Sequence, residues 1–179
     1  MNMNNDFELK INKLAKDIIN SDSRIIGIRG VSGSGKSTLL RNLEGIYCGE
    51  AIYFDSSIII FEGSIEENIL MGRKISFELN PLLKEIFFYE ARLQDKNFYL
   101  DRGNISTGQS QRIGIIRDIV DSINRVILID EPTSALDYKT STEFFNFIFT
   151  NLDKFCIKKL IFTSHSSFQD KRVHFFDIS

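Results

Sequence analysis

An apolar run, RIIGI at residues 24 to 28, leads through Arg29 into GVSGSGKS at residues 30 to 37, and an apolar helical pattern follows from Thr38 to Leu43. The octet matches GxxxxGK[ST] in the strand-to-helix setting that the pattern requires, which commits this part of the chain to a strand, a tight loop and a helix start. Glycines 30, 33 and 35 let backbone N–H groups converge on an oxyanion, and the helix beginning near Lys36 adds the positive end of its dipole. A phosphate chain is the expected ligand. Gly30, Val31, Ser32, Gly33, Ser34, Gly35, Lys36, Ser37 and Thr38 are therefore candidate nucleotide contacts, with Lys36 reaching the outer phosphates and the Ser37 hydroxyl ligating Mg²⁺. The competing explanation is a glycine-rich turn with a surface lysine.

Four further apolar runs read as buried strands: AIYF (51 to 54), RVILI (125 to 129), KLIFT (159 to 163) and RVHFF (172 to 176). Helical patterns separate several of them, at Ile113 to Val120 and in the stripe Phe144, Ile148, Leu152 and Phe155. Strand and helix in alternation imply an α/β domain on a mainly parallel sheet. From about Ile65 to Asn104 the rhythm breaks, because IEENILM and PLLKEIFFYEARL are helix-like with no strong strand between them. A helical insertion is expected there, and 179 residues need no second domain to bury an ordinary core.

A formal net charge of -2 and a pI near 5.7 argue against a chain whose main task is to neutralise nucleic-acid backbones, so no direct nucleic-acid partner is expected. No apolar run approaches the roughly 18 residues of a membrane span. MNMNNDFELK lacks the apolar core of a signal peptide. Membrane contact is expected to run through a partner. Cys48 and Cys156 form no CxxC or Cys/His spacing and read as reduced, buried thiols of a cytosolic protein.

RVILIDEPTSALD sets Asp130 and Glu131 at the carboxyl end of an apolar strand, where ligands gather in open parallel sheets. Asp130 can hold Mg²⁺ directly or through water, and Glu131 can orient or deprotonate the water that attacks a γ-phosphate. Without the phosphate cradle, the pair would read as a solvated acidic turn. In GNISTGQSQRIGIIRDI (103 to 119), Ser106, Thr107, Gly108, Gln109 and Gln111 stand directly before a helical pattern. Ser106 can cap that helix and donate a hydroxyl, while Gly108 lets backbone N–H groups approach an anion closely. In isolation the same residues describe a polar cap and a surface turn.

GVSGSGKST, ISTGQSQR, RVILIDEPTSALD and FTSH (162 to 165) occur in the order and approximate spacing of ATP-binding cassette (ABC) ATPases, which the chain resembles from about Arg24 to Asp177. The resemblance implies a single P-loop NTPase domain over residues 1–179, with a RecA-like core at 1–64 and 121–179 and a helical subdomain at about 65–120. It also implies ATP and Mg²⁺ as cofactors. Asp130 then corresponds to the Walker B aspartate, Glu131 to the catalytic glutamate, Ser134, Ala135, Leu136 and Asp137 to the D-loop, and His165 to the switch histidine near the γ-phosphate. Ser106, Thr107, Gly108 and Gln109 correspond to the signature motif, which in this family closes over ATP held by a second cassette, so a homodimer or heterodimer of cassettes is implied.

FEGSIEENIL (61 to 70) is similar to the stretch after the Q-loop in exporter-type cassettes. An ATP-hydrolysing subunit that powers a membrane-spanning partner on a separate chain, peripheral at the inner face of the cell membrane, is the resulting expectation. A soluble ABC ATPase of DNA repair or translation and a degenerate, ATP-gated regulatory subunit are the alternatives. Ser56 stands where the family has its Q-loop glutamine, and Thr107 replaces the first glycine of the usual signature core. Most of the usual antiparallel β region is missing between Leu43 and Ala51, and Phe7 is the one aromatic candidate for stacking on adenine.

Overall fold

The computed structural model describes residues 3–54, 58–101, 103–120, 123–164 and 168–178. Its elements begin with α1 (Met3–Ile19), β1 (Ile25–Arg29), α2 (Lys36–Tyr47) and β2 (Ala51–Phe54). Next come β3 (Gly63–Ser64), α3 (Ile65–Leu70), α4 (Leu79–Ile86), a 3-10 turn (Ala91–Gln94), β4 (Tyr99–Leu100) and α5 (Thr107–Val120). The last are β5 (Val126–Ile129), α6 (Tyr138–Thr150), β6 (Lys159–Ser164) and β7 (His174–Asp177). The chain divides into two compact units, one of residues 1–55, 124–132 and 156–179, the other of residues 56–123 and 133–155.

The first unit holds a sheet in the order β2-β5-β6-β1-β7, with every neighbouring pair parallel. Its strands are short, Val/Ile/Leu/Phe-rich runs of the kind that parallel sheets bury. Ile26 and Ile28 of β1 join Val126, Leu128 and Ile161 in a core with Leu39, Leu40 and Leu43 of α2. Between them Gly27 points to the opposite face, as period-two alternation requires, and the Phe175 ring fills the space that a Cβ there would need. The helix α1 completes the core by burying Ile11, Ala15 and Ile18, three positions on one helical stripe. The stripe is legible in the sequence as spacings of four and three residues.

In the second unit β3 and β4 pair antiparallel, and Ser64 starts α3 with a capping box in which Ser64 and Glu67 satisfy each other's backbone N–H groups. Asn68 is buried and closes on the Phe61 main chain, accepting its N–H at 2.9 Å and donating to its carbonyl at 2.9 Å. The helix α6 buries Phe144, Phe145, Phe147, Ile148 and Phe149. Leu152 and Phe155 of the expected stripe are also buried, but they lie beyond the end of α6, in the turn that follows it.

The α/β class and the parallel sheet are as the sequence implied, and each of the five long strands falls within two residues of its expected place. Antiparallel pairing among the described residues is confined to β3 and β4. The expectation of buried thiols is corrected: Cys48 and Cys156 are both exposed. Each has a left-handed backbone, with φ of 50° and 52°, and stands in a turn rather than in a helix or strand that packs on the core. No helix among the described residues is long and apolar enough to cross a membrane.

Candidate functional site

The loop from Gly30 to Gly35 joins β1 to α2. Gly35 is the N-cap of α2 at φ 100° and supplies no side-chain cap, so the first N–H groups of the helix face the loop without a side-chain acceptor from the cap. A Cβ at Gly35 would also lie 2.6 Å from the Phe7 ring of α1, so both backbone conformation and packing call for glycine. Lys36 is only 5% exposed, and its Nζ donates to the Gly30 and Val31 carbonyls at 3.0 and 3.1 Å. Ser37 and Thr38 are exposed in the first turn, beside exposed Val31, Ser32 and Gly33.

Asp130 and Glu131 leave β5, the strand that lies between β2 and β6, so hydroxyls from both neighbours reach them. Tyr53 on β2 donates to Asp130 Oδ2 at 3.1 Å, and Thr163 on β6 donates to Asp130 Oδ1 at 2.7 Å. The same Thr163 oxygen accepts the Glu131 N–H at 2.8 Å. Glu131 adopts φ 49°, a left-handed conformation uncommon for a residue with a side chain, and its Oε1 lies 3.8 Å from Lys36 Nζ. The carboxyl ends of β1, β5 and β6 thus bring together one ammonium and two carboxylates beside the Gly30–Gly35 loop.

These residues fit a magnesium nucleotide. Ser34 Oγ is buried beneath the loop with no hydrogen-bond partner, a polar atom for which a phosphate oxygen is a suitable acceptor. Among the described residues no cluster of three or more His, Cys, Asp or Glu side chains could enclose a metal by itself. Ser37 and Asp130 match the sparse protein ligation of an ion that takes its other ligands from phosphates and water.

In the second unit Ser106 is the residue before α5, and Thr107 is the first helical residue. The Gln109 N–H donates to Ser106 Oγ at 3.3 Å, and Gln109 Oε1 accepts the Ser106 N–H at 3.0 Å, a reciprocal cap. Ser106 uses an oxygen lone pair in this cap, so its hydroxyl proton takes no part in it. Gly108 is buried, and a Cβ there would meet the Ala135 carbonyl oxygen at 2.7 Å. Residues Ser134 to Asp137 form the turn before α6, with Leu136 N–H bonded to the Thr133 carbonyl. Asp137 caps α6 by accepting the Thr140 N–H at 3.0 Å and the Thr140 hydroxyl at 2.7 Å. These two bonds hold its carboxyl below the usual aspartate range, the backbone bond being the larger cause.

Ser56 and His165 lie outside the described residues. Sequence reasoning missed Tyr53, Thr163 and the linking role of Gln111, whose side chain joins α5 to the 134–137 turn. Tyr53 and Thr163 could be suspected only as polar residues inside apolar strands, and their shared target depends on a strand order that the sequence does not display.

No protein-family model matches the chain. It is similar to a mesentericin-Y105 transport/processing ATP-binding protein of Leuconostoc mesenteroides, 32% identical over 178 residues that cover 83% of this chain and 24% of that protein. ABC transporter C family member 3 of Arabidopsis thaliana is 32% identical over 155 residues, 78% of this chain and 10% of the relative. A probable ABC transporter ATP-binding/permease protein of Haemophilus influenzae is 34% identical over 142 residues, 63% of this chain and 26% of the relative. The chain therefore spans between 10% and 26% of the length of these relatives.

Proposed function

Because this chain belongs to the ATP-binding cassette ATPases, as one of their nucleotide-binding domains, we propose that it binds ATP with Mg²⁺ and hydrolyses it to ADP and phosphate to drive transport. The observation that carries this reading is the convergence of Lys36, Asp130 and Glu131 at the carboxyl ends of the parallel strands, beside the Gly30–Gly35 loop. The loop amides and the α2 start bind and orient the phosphates, and Lys36 exchanges its carbonyl partners for phosphate oxygens. Mg²⁺, held by Ser37 and Asp130, would neutralise charge that develops on the transferred group. Glu131 orients the attacking water and takes its proton. His165 is assigned to the γ-phosphate on the family pattern alone.

In this reading two cassettes, identical or different, pair head to tail. Ser106, Thr107, Gly108 and Gln109 of one close on the ATP of the other, and the Ser134 to Asp137 turn lies at their boundary. ATP favours the closed pair and hydrolysis releases it. The membrane-spanning part is assigned to a separate partner chain, which holds this subunit at the inner face of the cell membrane. The Haemophilus relative, named as an ATP-binding/permease protein, presents the fused alternative.

The deciding experiment compares ATP turnover and oligomeric state of the wild type and Glu131→Gln. The variant should bind ATP, form a longer-lived dimer and lose turnover by on the order of 10²-fold or more. A wild type as slow as the variant would overturn hydrolysis as its task. Purification from membranes that recovers no integral membrane protein would overturn the partner assignment.

A further inference from the structure

Thr163 stands on a buried strand with 1% exposure, and its single hydroxyl serves two masters: the proton goes to Asp130 Oδ1 at 2.7 Å, and the oxygen takes the Glu131 N–H at 2.8 Å. The second of these bonds lands on a residue at φ 49°, where the left-handed backbone costs energy and needs its surroundings to hold it. The other oxygen of Asp130 is held from the opposite strand by Tyr53 at 3.1 Å. The carboxylate plane of Asp130 is thereby fixed at both ends, and the direction in which Glu131 leaves the sheet is fixed by the same atom that fixes Asp130.

We propose that the Thr163 hydroxyl is the positioning group of this site: it sets Asp130 for the metal and Glu131 for the attacking water at once, with Tyr53 as a second, weaker brace on Asp130. The inference rests on the ATPase reading above and deepens it. Its physical basis is that an acid able to turn about its own side-chain bonds binds a metal less well than one oriented by outer hydrogen bonds, and that a small displacement of the group that orients water is expensive in rate. A hydroxyl is the required chemistry because the position must donate to one neighbour and accept from the next. Valine, of nearly the same shape, can do neither, and serine can do both.

The test uses Thr163→Val, Thr163→Ser and Tyr53→Phe in the full chain, with three readouts. Thermal unfolding reports folding, Mn²⁺ binding in the presence of ADP is followed by electron paramagnetic resonance, and steady-state turnover separates kcat from KM. For Thr163→Val, Mn²⁺ affinity should fall by roughly 10-fold or more. Its kcat should fall by on the order of 10²-fold while metal-free ADP affinity, which depends on the phosphate loop, stays within about twofold. Thr163→Ser should restore both quantities to near the wild-type values, and Tyr53→Phe should weaken Mn²⁺ binding with a smaller effect on kcat. A folded Thr163→Val variant with wild-type Mn²⁺ affinity and kcat would overturn the proposal. If the valine variant fails to fold, the serine variant decides: loss of Mn²⁺ binding and turnover despite the retained hydroxyl would overturn it equally. A wild type that shows neither nucleotide-dependent Mn²⁺ binding nor turnover would instead remove the ATPase reading itself.

Discussion

Gln111 holds the turn that carries Ser134: its Nε2 donates to Ser134 Oγ at 3.2 Å, while its Oε1 accepts the Ala135 N–H at 3.3 Å. Gln111 is 5% exposed and bridges α5, which begins at Thr107, to the segment proposed as the D-loop. Displacement of the start of α5 therefore reaches residues 134 to 137 through the Gln111 amide as well as through the close backbone approach at Gly108.

Gln111→Leu keeps the volume and removes both bonds. It should cost about 1–2 kcal/mol, most of it from polar groups left without partners. Urea unfolding checks the cost, and faster hydrogen exchange at the Ala135 amide checks that the loss is local.

Gly108 and Gly45 give a contrast within one chain. A Cβ at position 108 would lie 2.7 Å from the Ala135 backbone oxygen, which cannot yield as a flexible side chain would. Gly108→Ala should therefore destabilise by about 1–3 kcal/mol. At Gly45, near the end of α2, no atom of the described residues outside the local helix backbone lies within 4 Å of the added carbon. Gly45→Ala should stabilise by about 0.5–1 kcal/mol. Paired denaturation curves test both signs together.

Lys36→Ala removes the ammonium that sits among the Gly30 and Val31 carbonyls and beside Glu131. Affinity for ATP should fall by about tenfold or more, equivalent to at least about 1.4 kcal/mol. Titration with a fluorescent ATP analogue measures it, and unchanged affinity would remove the phosphate-cradle assignment.

Asp137 supplies a pH test. Its carboxyl is held below the usual aspartate range by the Thr140 N–H and then the Thr140 hydroxyl. A depressed folded-state value means that the contribution to stability is complete above the ordinary aspartate pKa and is lost as pH falls through the lowered one. Asparagine accepts the same backbone bond without titrating, so Asp137→Asn should lose less stability on acidification than the wild type. The difference should be confined to the acid side of the usual aspartate range. The curve should flatten only in part, because Asp170, held by Arg172, and Glu67, held by Ser64, also sit low.

Much of the fold was legible because its strands are short apolar runs separated by glycine, proline or polar turns. The phosphate loop was legible because a single local segment makes it. Three things were harder to read, each for a physical reason. Residues such as Tyr53 and Thr163 act on a carboxylate more than thirty residues away, and their meeting depends on β5 inserting between β2 and β6. The stripe of α1 at Ile11, Ala15 and Ile18 is set in a largely polar helix, which weakens its apolar signal. The cysteines were misjudged because burial statistics average over positions, whereas Cys48 and Cys156 sit where the backbone reverses.

The order of the sheet also has a consequence for how the protein comes into being. Ile26 of β1 has Ile161 on one side and His174 on the other. The strand that leads into the Gly30–Gly35 loop is thus synthesised before both of its neighbours. Until β6 and β7 are synthesised, β1 has two open edges. Such long-range pairing folds slowly. The interval before β6 and β7 arrive is when this chain is most exposed to association through its bare strand edges.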